Sequence, residues 1–141
     1  MTKERRISAL VVTLGVAVGW SAAPAALEAQ DPSAAIDVTT AVVGTGVQDR
    51  EPVGTGTSFP ASIGTVYFYT VFEGDFGERR VEHVWVRNGE EVGRVPLTVR
   101  GPRWRTWSSK TVPADWTGEW EARVVDADGS VLATAAFQVS R

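Results

Sequence analysis

The 141-residue chain has no cysteine, one histidine and one methionine. Without cysteine there is no disulfide, no thiolate metal site and no lipid-modified cysteine, so the folded part must be held by its core alone. The lone histidine, His83, restricts histidine-based catalysis, because an imidazole needs a nucleophile and an orienting group within reach. Long apolar runs are also missing. The most apolar stretch, Ile7 to Trp20, is 14 residues, short of the roughly 20 that span a bilayer as a helix. Positive charge is scarce, with 14 Lys and Arg against 17 Asp and Glu. This balance argues against nucleic acid or an anionic membrane as the main partner.

The N-terminus does carry charge of the missing sign. Lys3, Arg5 and Arg6 precede the apolar run, and the alanine-rich segment Ala22 to Ala29 follows it. A basic region, a short apolar region and small residues make a secretory signal. The expected signal peptide is 1–29, followed by a flexible lead at 30–35 and a folded domain at 36–141. After cleavage, 14 minus 3 basic and 17 minus 2 acidic residues remain, a net charge of minus 4 with no membrane span. The address expected is the bacterial periplasm or the medium.

Aromatic residues are plentiful, and four of the six tryptophans lie between Arg103 and Trp120. Period-two alternation, the mark of a half-buried strand, recurs through the domain. Ile36, Val38, Thr40 and Val42 form one face of a first strand, and Val43 to Ser62 reads as a connecting loop with an edge pairing near Val47. Thr65 to Phe72 has apolar residues on both faces, as in a central strand. Val81 to Arg87 and Val92 to Val99 flank Asn88-Gly89, the strongest short-range hairpin signal, and Pro96 puts the second arm at a sheet edge.

Arg103 to Lys110 then places Trp104, Thr106 and Ser108 on one face and Arg103, Arg105, Trp107 and Ser109 on the other. Trp120, Ala122 and Val124 point inward on the next strand, and Phe137 and Val139 on the last. About seven strands without helical period predict an all-β fold, a single antiparallel immunoglobulin-like β-sandwich. A core of this size hides Trp85, Trp120 and one of Trp104 or Trp116, which leaves an exposed tryptophan in need of a reason.

The candidate chemistry is thin. Ser108 or Ser109 with His83 and Asp115 or Asp126 is the only conceivable triad, but the glycine-flanked serine turn of hydrolases is absent. Strand serines bonded to neighbours, and a histidine at the core edge, are the ordinary alternative. Asp126-x-Asp128-Gly129 has two of the oxygens of a calcium loop, but not the rest. A solvated turn is the simpler reading. No catalytic set, cofactor or metal is assigned.

Arg79 to Lys110 carries eight basic residues against Glu82, Glu90 and Glu91, while Asp115 to Asp128 holds five acids against Arg123. Either neighbouring strands lay these groups opposite each other as ion pairs, or the arginines form a surface. Guanidinium groups grip carboxylates at two points, and exposed indoles offer flat apolar faces.

The ordered string His83-Val84-Trp85, Asn88-Gly89, Val95 to Val99, Arg103 to Lys110, Trp116 to Trp120, Asp126 to Gly129 and Phe137 to Val139 resembles the bacterial domain of unknown function 2914 family. The resemblance spans about Val66 to Val139. It implies a small extracytoplasmic β-rich domain with no established activity.

The function expected is therefore a non-catalytic binding module for an anionic envelope glycan or peptide. Its tentative ligand contacts are Arg103, Arg105, Trp107, Lys110 and His83. The alternative is an assembly module whose sheet edge pairs with another envelope protein.

Overall fold

The computed structural model describes residues 36–141; the signal segment and lead expected at 1–35 lie outside them. The strands in chain order are β1 (Asp37–Gly44), β2 (Gly46–Gln48), β3 (Glu51–Val53), β4 (Ser58–Pro60), β5 (Thr65–Glu73), β6 (Glu78–Arg87), β7 (Glu90–Arg100), β8 (Arg103–Thr111), β9 (Gly118–Asp126) and β10 (Val131–Ser140). The described residues contain no α-helix, only a short 3-10 turn at Ala61–Ile63. The fold is all-β, and the seven long strands are the seven that alternation marks.

Three strands form one sheet in the order β1-β5-β8, and five form another in the order β4-β10-β9-β6-β7. All pairings in these two sheets are antiparallel except that of β4 with β10. Their inner faces meet in one apolar cluster. Val43, Val66, Phe68 and Phe72 come from the first sheet, and Val81, Trp85, Trp120, Val124 and Phe137 from the second. Phe68 meets Trp85 edge-on across the gap, with ring centroids 6.0 Å apart. Each such side chain contributes about 1.5–3 kcal/mol when fully buried, which is how a domain without disulfides holds together.

Local chemistry explains the frame. The β6–β7 hairpin turns on Asn88 and Gly89, at φ 48° and 83°, the two positive values a type I′ turn requires. β5 is central and covered on both faces; β7, with Pro96, is an edge strand. Trp120, Ala122 and Val124 on β9, and Phe137 and Val139 on β10, are buried.

Two expectations need correction. A register irregularity between Val38 and Thr40 in the β1–β5 ladder acts as a bulge, which inserts a residue and reverses the alternation after it. Ile36 and Val38 pack on the core as expected, but beyond the bulge the inward positions are Ala41 and Val43, not Thr40 and Val42. The second correction concerns Val43 to Ser62, which is more than a loop. The expected edge pairing is there, with Val47 opposite Pro52 in a β2–β3 hairpin. β4, however, adds parallel to β10 and buries Phe59 against Phe137.

Candidate ligand-binding face

β8 is an edge of the three-stranded sheet, paired on one side with β5. Strand alternation sends Arg103, Arg105 and Trp107 to its outer face, away from the core. Opposite them on β5 stand Glu73, Val71 and Tyr69 in register. Trp107 is 37 % exposed, the most open of the tryptophans in the described part. Its ring lies nearly parallel to that of Tyr69, 13° apart with centroids at 6.1 Å. Trp85 and Trp120 are buried as expected, and both Trp104 and Trp116, not one of them, pack partly buried against the core.

The β2–β3 hairpin folds over the same outer face. Its two-residue loop is Asp49-Arg50, and the Tyr69 hydroxyl donates to the Arg50 carbonyl at 2.7 Å. Glu51, just after the loop, pairs with Arg105 at 2.7 Å, and Glu73 pairs across the strands with Arg103 at 2.7 Å. A shallow pocket of about 350 Å³ is lined by Arg50, Arg103, Trp104 and Arg105. Burial, followed by the negative Glu51, raises the Tyr69 hydroxyl pKa, while Arg105, Arg103 and Arg50 oppose the rise. Three guanidinium groups and one carboxylate thus act on the Tyr69 hydroxyl.

Arg50 and Tyr69 are the contributors that the sequence pattern does not announce. Arg50 sits in what reads as a connecting loop, far in sequence from β8. The only available signal is the short pairing near Val47, which predicts a turn close to Asp49.

The structure does not bring Lys110 or His83 to this face. Lys110 leaves β8 on the opposite side, its Nζ 5.9 Å from the centre of the Trp116 ring, which Arg87 also approaches at 5.4 Å. His83 is wholly buried between the sheets. Its ring rests on Phe68 at 4.5 Å, its Nδ1 lies 2.7 Å from Ser108 Oγ, and its Nε2 lies 3.0 Å from Thr70 Oγ1.

The direction of these bonds follows from proton counting. Thr70 Oγ1 donates to the Thr106 carbonyl at 3.3 Å, so it is an acceptor towards His83. Nε2 therefore carries the ring proton, and Nδ1 accepts from the Ser108 hydroxyl. Burial pushes the His83 pKa down to about 3, so the ring is neutral. The serine–histidine contact exists, but the third group is a threonine and the set is closed in the core.

The remaining charge motifs are structural. Asp126 is buried and receives Arg79, with Nε at 3.1 Å from Oδ1. Among the described residues, this ion pair joins the basic segment to the acidic one. Arg94 pairs instead with Glu82 and Glu91, and Arg100 with Glu78. The Asp126 to Gly129 turn uses its carboxylates internally. Asp126 Oδ1 accepts from the Ala127 N–H at 2.8 Å and Asp128 Oδ1 from the Ser130 N–H at 2.9 Å. The latter bond lowers the Asp128 pKa. Among the described residues no group of three metal-ligating side chains comes together, and no helix is long and apolar enough to cross a membrane.

The resemblance noted in the sequence is borne out: residues 78–139 match the family described as Protein of unknown function (DUF2914). The match begins at β6 and runs to β10, so it takes in β8 but neither β5 nor the β2–β3 hairpin. No curated protein matches the chain. Among solved structures, a β-glucosidase from Kluyveromyces marxianus is similar over 76 % of this chain and 14 % of its own, at 10 % identity and a TM-score of 0.45. A β-glucosidase from Listeria innocua is similar over 75 % and 16 %, at 7 % identity and a TM-score of 0.47. Likeness at this level carries no argument about function.

Proposed function

We propose that this chain is an exported, non-catalytic binding module of immunoglobulin-like β-sandwich type, acting in the periplasm or medium on an anionic envelope glycan or peptide. The observation that supports this reading is the outer face of β8, where Trp107 stays exposed beside Arg103 and Arg105. An indole left open when the other described aromatic side chains are buried or half-buried gives a ligand a flat apolar surface. The ion pairs of Arg103 and Arg105 do not close the site. The Arg103–Glu73 pair is exposed and the Arg105–Glu51 pair has an exposed carboxylate on a half-buried arginine; pairs at the surface are worth only about 0–1 kcal/mol, so an incoming anion can take over either arginine at small cost.

The non-catalytic part of the reading draws on His83, whose partners are two core hydroxyls rather than a carboxylate and an open nucleophile. The test is a calorimetric titration of the protein with cell-wall glycan and peptide fragments, repeated for Trp107→Ala and Arg105→Ala. Binding by the parent that both substitutions weaken supports the reading. Absence of binding to every fragment, or binding that neither substitution alters, overturns it.

A further inference from the structure

The chain contains two hairpins with two-residue loops of the same backbone shape, and their sequences differ in an informative way. In the β6–β7 loop, Asn88 and Gly89 have φ of 48° and 83°; in the β2–β3 loop, Asp49 and Arg50 have φ of 50° and 63°. Asparagine followed by glycine is what this geometry favours, because a side chain at positive φ crowds its own backbone. Arginine therefore stands where the other hairpin has glycine, at a local cost that the fold does not need to bear. Its carbonyl does not account for the choice, since any residue would accept the Tyr69 hydroxyl. What only arginine supplies there is a guanidinium beside those of Arg103 and Arg105.

Backbone strain retained at a cluster of like charges is characteristic of a site kept for a ligand. Arg103 and Arg105 each have a carboxylate partner on this face, Glu73 and Glu51. No ion pair or side-chain hydrogen bond of Arg50 appears among the described residues, so the pocket carries an excess of one positive charge. The fourth wall residue is Trp104; Trp107 stands outside the pocket but beside it, two residues along the strand from Arg105 and stacked on Tyr69. A flat, exposed indole face next to a guanidinium cluster matches a ring with a carboxylate attached.

We propose, building on the binding-face reading above, that Arg50, Arg103 and Arg105 form the carboxylate pocket for an acidic sugar, a uronate-type residue of a glycan, whose ring lies on Trp107. Arg50 is the residue that makes the pocket select anionic over neutral sugars. A glycan fits better than a peptide because a pyranose presents a flat C–H face to the indole while its carboxylate reaches sideways to the arginines. An acidic peptide would place a flexible side chain there and leave the indole face largely unused.

The test uses the full chain, isothermal calorimetry and the NMR signals of the indole N–H groups, with oligogalacturonate as probe and a neutral maltooligosaccharide and an oligoglutamate as comparators. Expected is binding of oligogalacturonate alone, with the Trp107 signal shifted and affinity falling as salt rises. Arg50→Gly should weaken it about tenfold, the scale of one charge-assisted contact, while leaving thermal stability equal or higher. Arg50→Asn, which also tolerates positive φ, serves as a second variant should the first disturb the hairpin.

If both Arg50 variants bind as the parent does while Trp107→Ala and Arg105→Ala lose binding, the role of Arg50 is overturned and the binding face stands. Preference for oligoglutamate overturns the acidic-sugar assignment and again leaves the face standing. Binding of neither probe, with cell-wall fragments also silent, overturns both.

Discussion

His83 Nδ1 accepts a hydrogen bond from Ser108 Oγ at 2.7 Å, and the two residues belong to opposite sheets. With Thr70 on β5 bonding Nε2 at 3.0 Å, the imidazole ties β6 to β5 and β8 across the core. Polar groups buried this completely stabilise only when every donor and acceptor is matched. Here the neutral ring is matched at both nitrogens, whereas a protonated Nδ1 would take the Ser108 oxygen as its acceptor and deprive the serine proton of its present partner.

This bonding predicts an acid-sensitive fold. The His83 pKa is about 3 when folded, against an ordinary 6.5, so between those values the unfolded chain takes up a proton that the folded one refuses. The contribution is fully present above pH 6.5 and is lost progressively towards pH 3. Urea unfolding of the parent should show a loss of about 2 kcal/mol between pH 7 and pH 5, from 1.36 kcal/mol per pKa unit. His83→Gln, whose amide can still accept from Ser108 and donate to Thr70, should be nearly flat over that range. A parent as flat as the variant would mean that the histidine protonates in place.

The two buried tryptophans allow a second comparison. Trp85 and Trp120 are equally hidden, at 0 % and 1 % exposure, but their indole nitrogens differ. Trp120 Nε1 donates to the Trp116 carbonyl at 3.1 Å, whereas Trp85 Nε1 is buried without a hydrogen-bond partner. Replacement by phenylalanine removes similar volume in both, but only at Trp120 does it remove a bond. Trp120→Phe should cost about 1 kcal/mol more than Trp85→Phe, the net worth of one hydrogen bond. Equal shifts in the denaturation midpoint would show that the Trp85 nitrogen is satisfied after all.

What was legible in the sequence is what neighbouring residues decide among themselves. Asn88-Gly89 announced its hairpin because the turn needs two positive φ values within two residues. The outward set on β8 followed from period two, and so did Lys110's departure from it, since it is an odd number of residues from Arg103, Arg105 and Trp107. Grouping Lys110 with them overlooked that parity. The β1 bulge left no mark, because one inserted residue reverses which side chains face in without changing composition. Arg50 was illegible for a different reason. Its place beside Arg103 and Arg105 depends on the hairpin folding across the sheet, and that is decided by Tyr69 and Glu51 at a distance.

Ion pairs in this domain should divide sharply by burial. Asp126 is 1 % exposed and Arg79 11 % in the pair they form, whereas Arg100 and Glu78 are 58 % and 63 % exposed. Removing one partner of a buried pair costs about 3–5 kcal/mol, because both groups were taken out of water to meet each other. Asp126→Asn is expected near the lower bound, because the amide oxygen can still accept from Arg79 and from the Ala127 N–H. Glu78→Gln should be indistinguishable from the parent, being an exposed pair. Chemical denaturation of both variants checks this, and similar midpoints would refute the division.

The end of the β6–β7 hairpin is docked onto the start of β9 by Arg87, which donates to the Thr117 carbonyl, and by Asn88, whose contact leaves a signature. Asn88 Oδ1 accepts from the Glu119 N–H at 2.9 Å, and the Asn88 N–H donates to the Glu119 carbonyl at 2.7 Å. This closeness requires Gly118, at φ 126°, where an added Cβ would come within 2.5 Å of Asn88 Oδ1. Gly118→Ala thus combines backbone strain with a clash, and a loss of about 2–3 kcal/mol is expected. All three atoms nearest that Cβ belong to the Asn88 side chain, so Asn88→Gly should remove the clash and leave the strain. The two substitutions together should cost less than the sum of their separate effects by about 1 kcal/mol or more, as for residues in direct contact. Strict additivity in the denaturation cycle would show that Gly118 is needed for its φ alone and that the carboxamide is free to move aside.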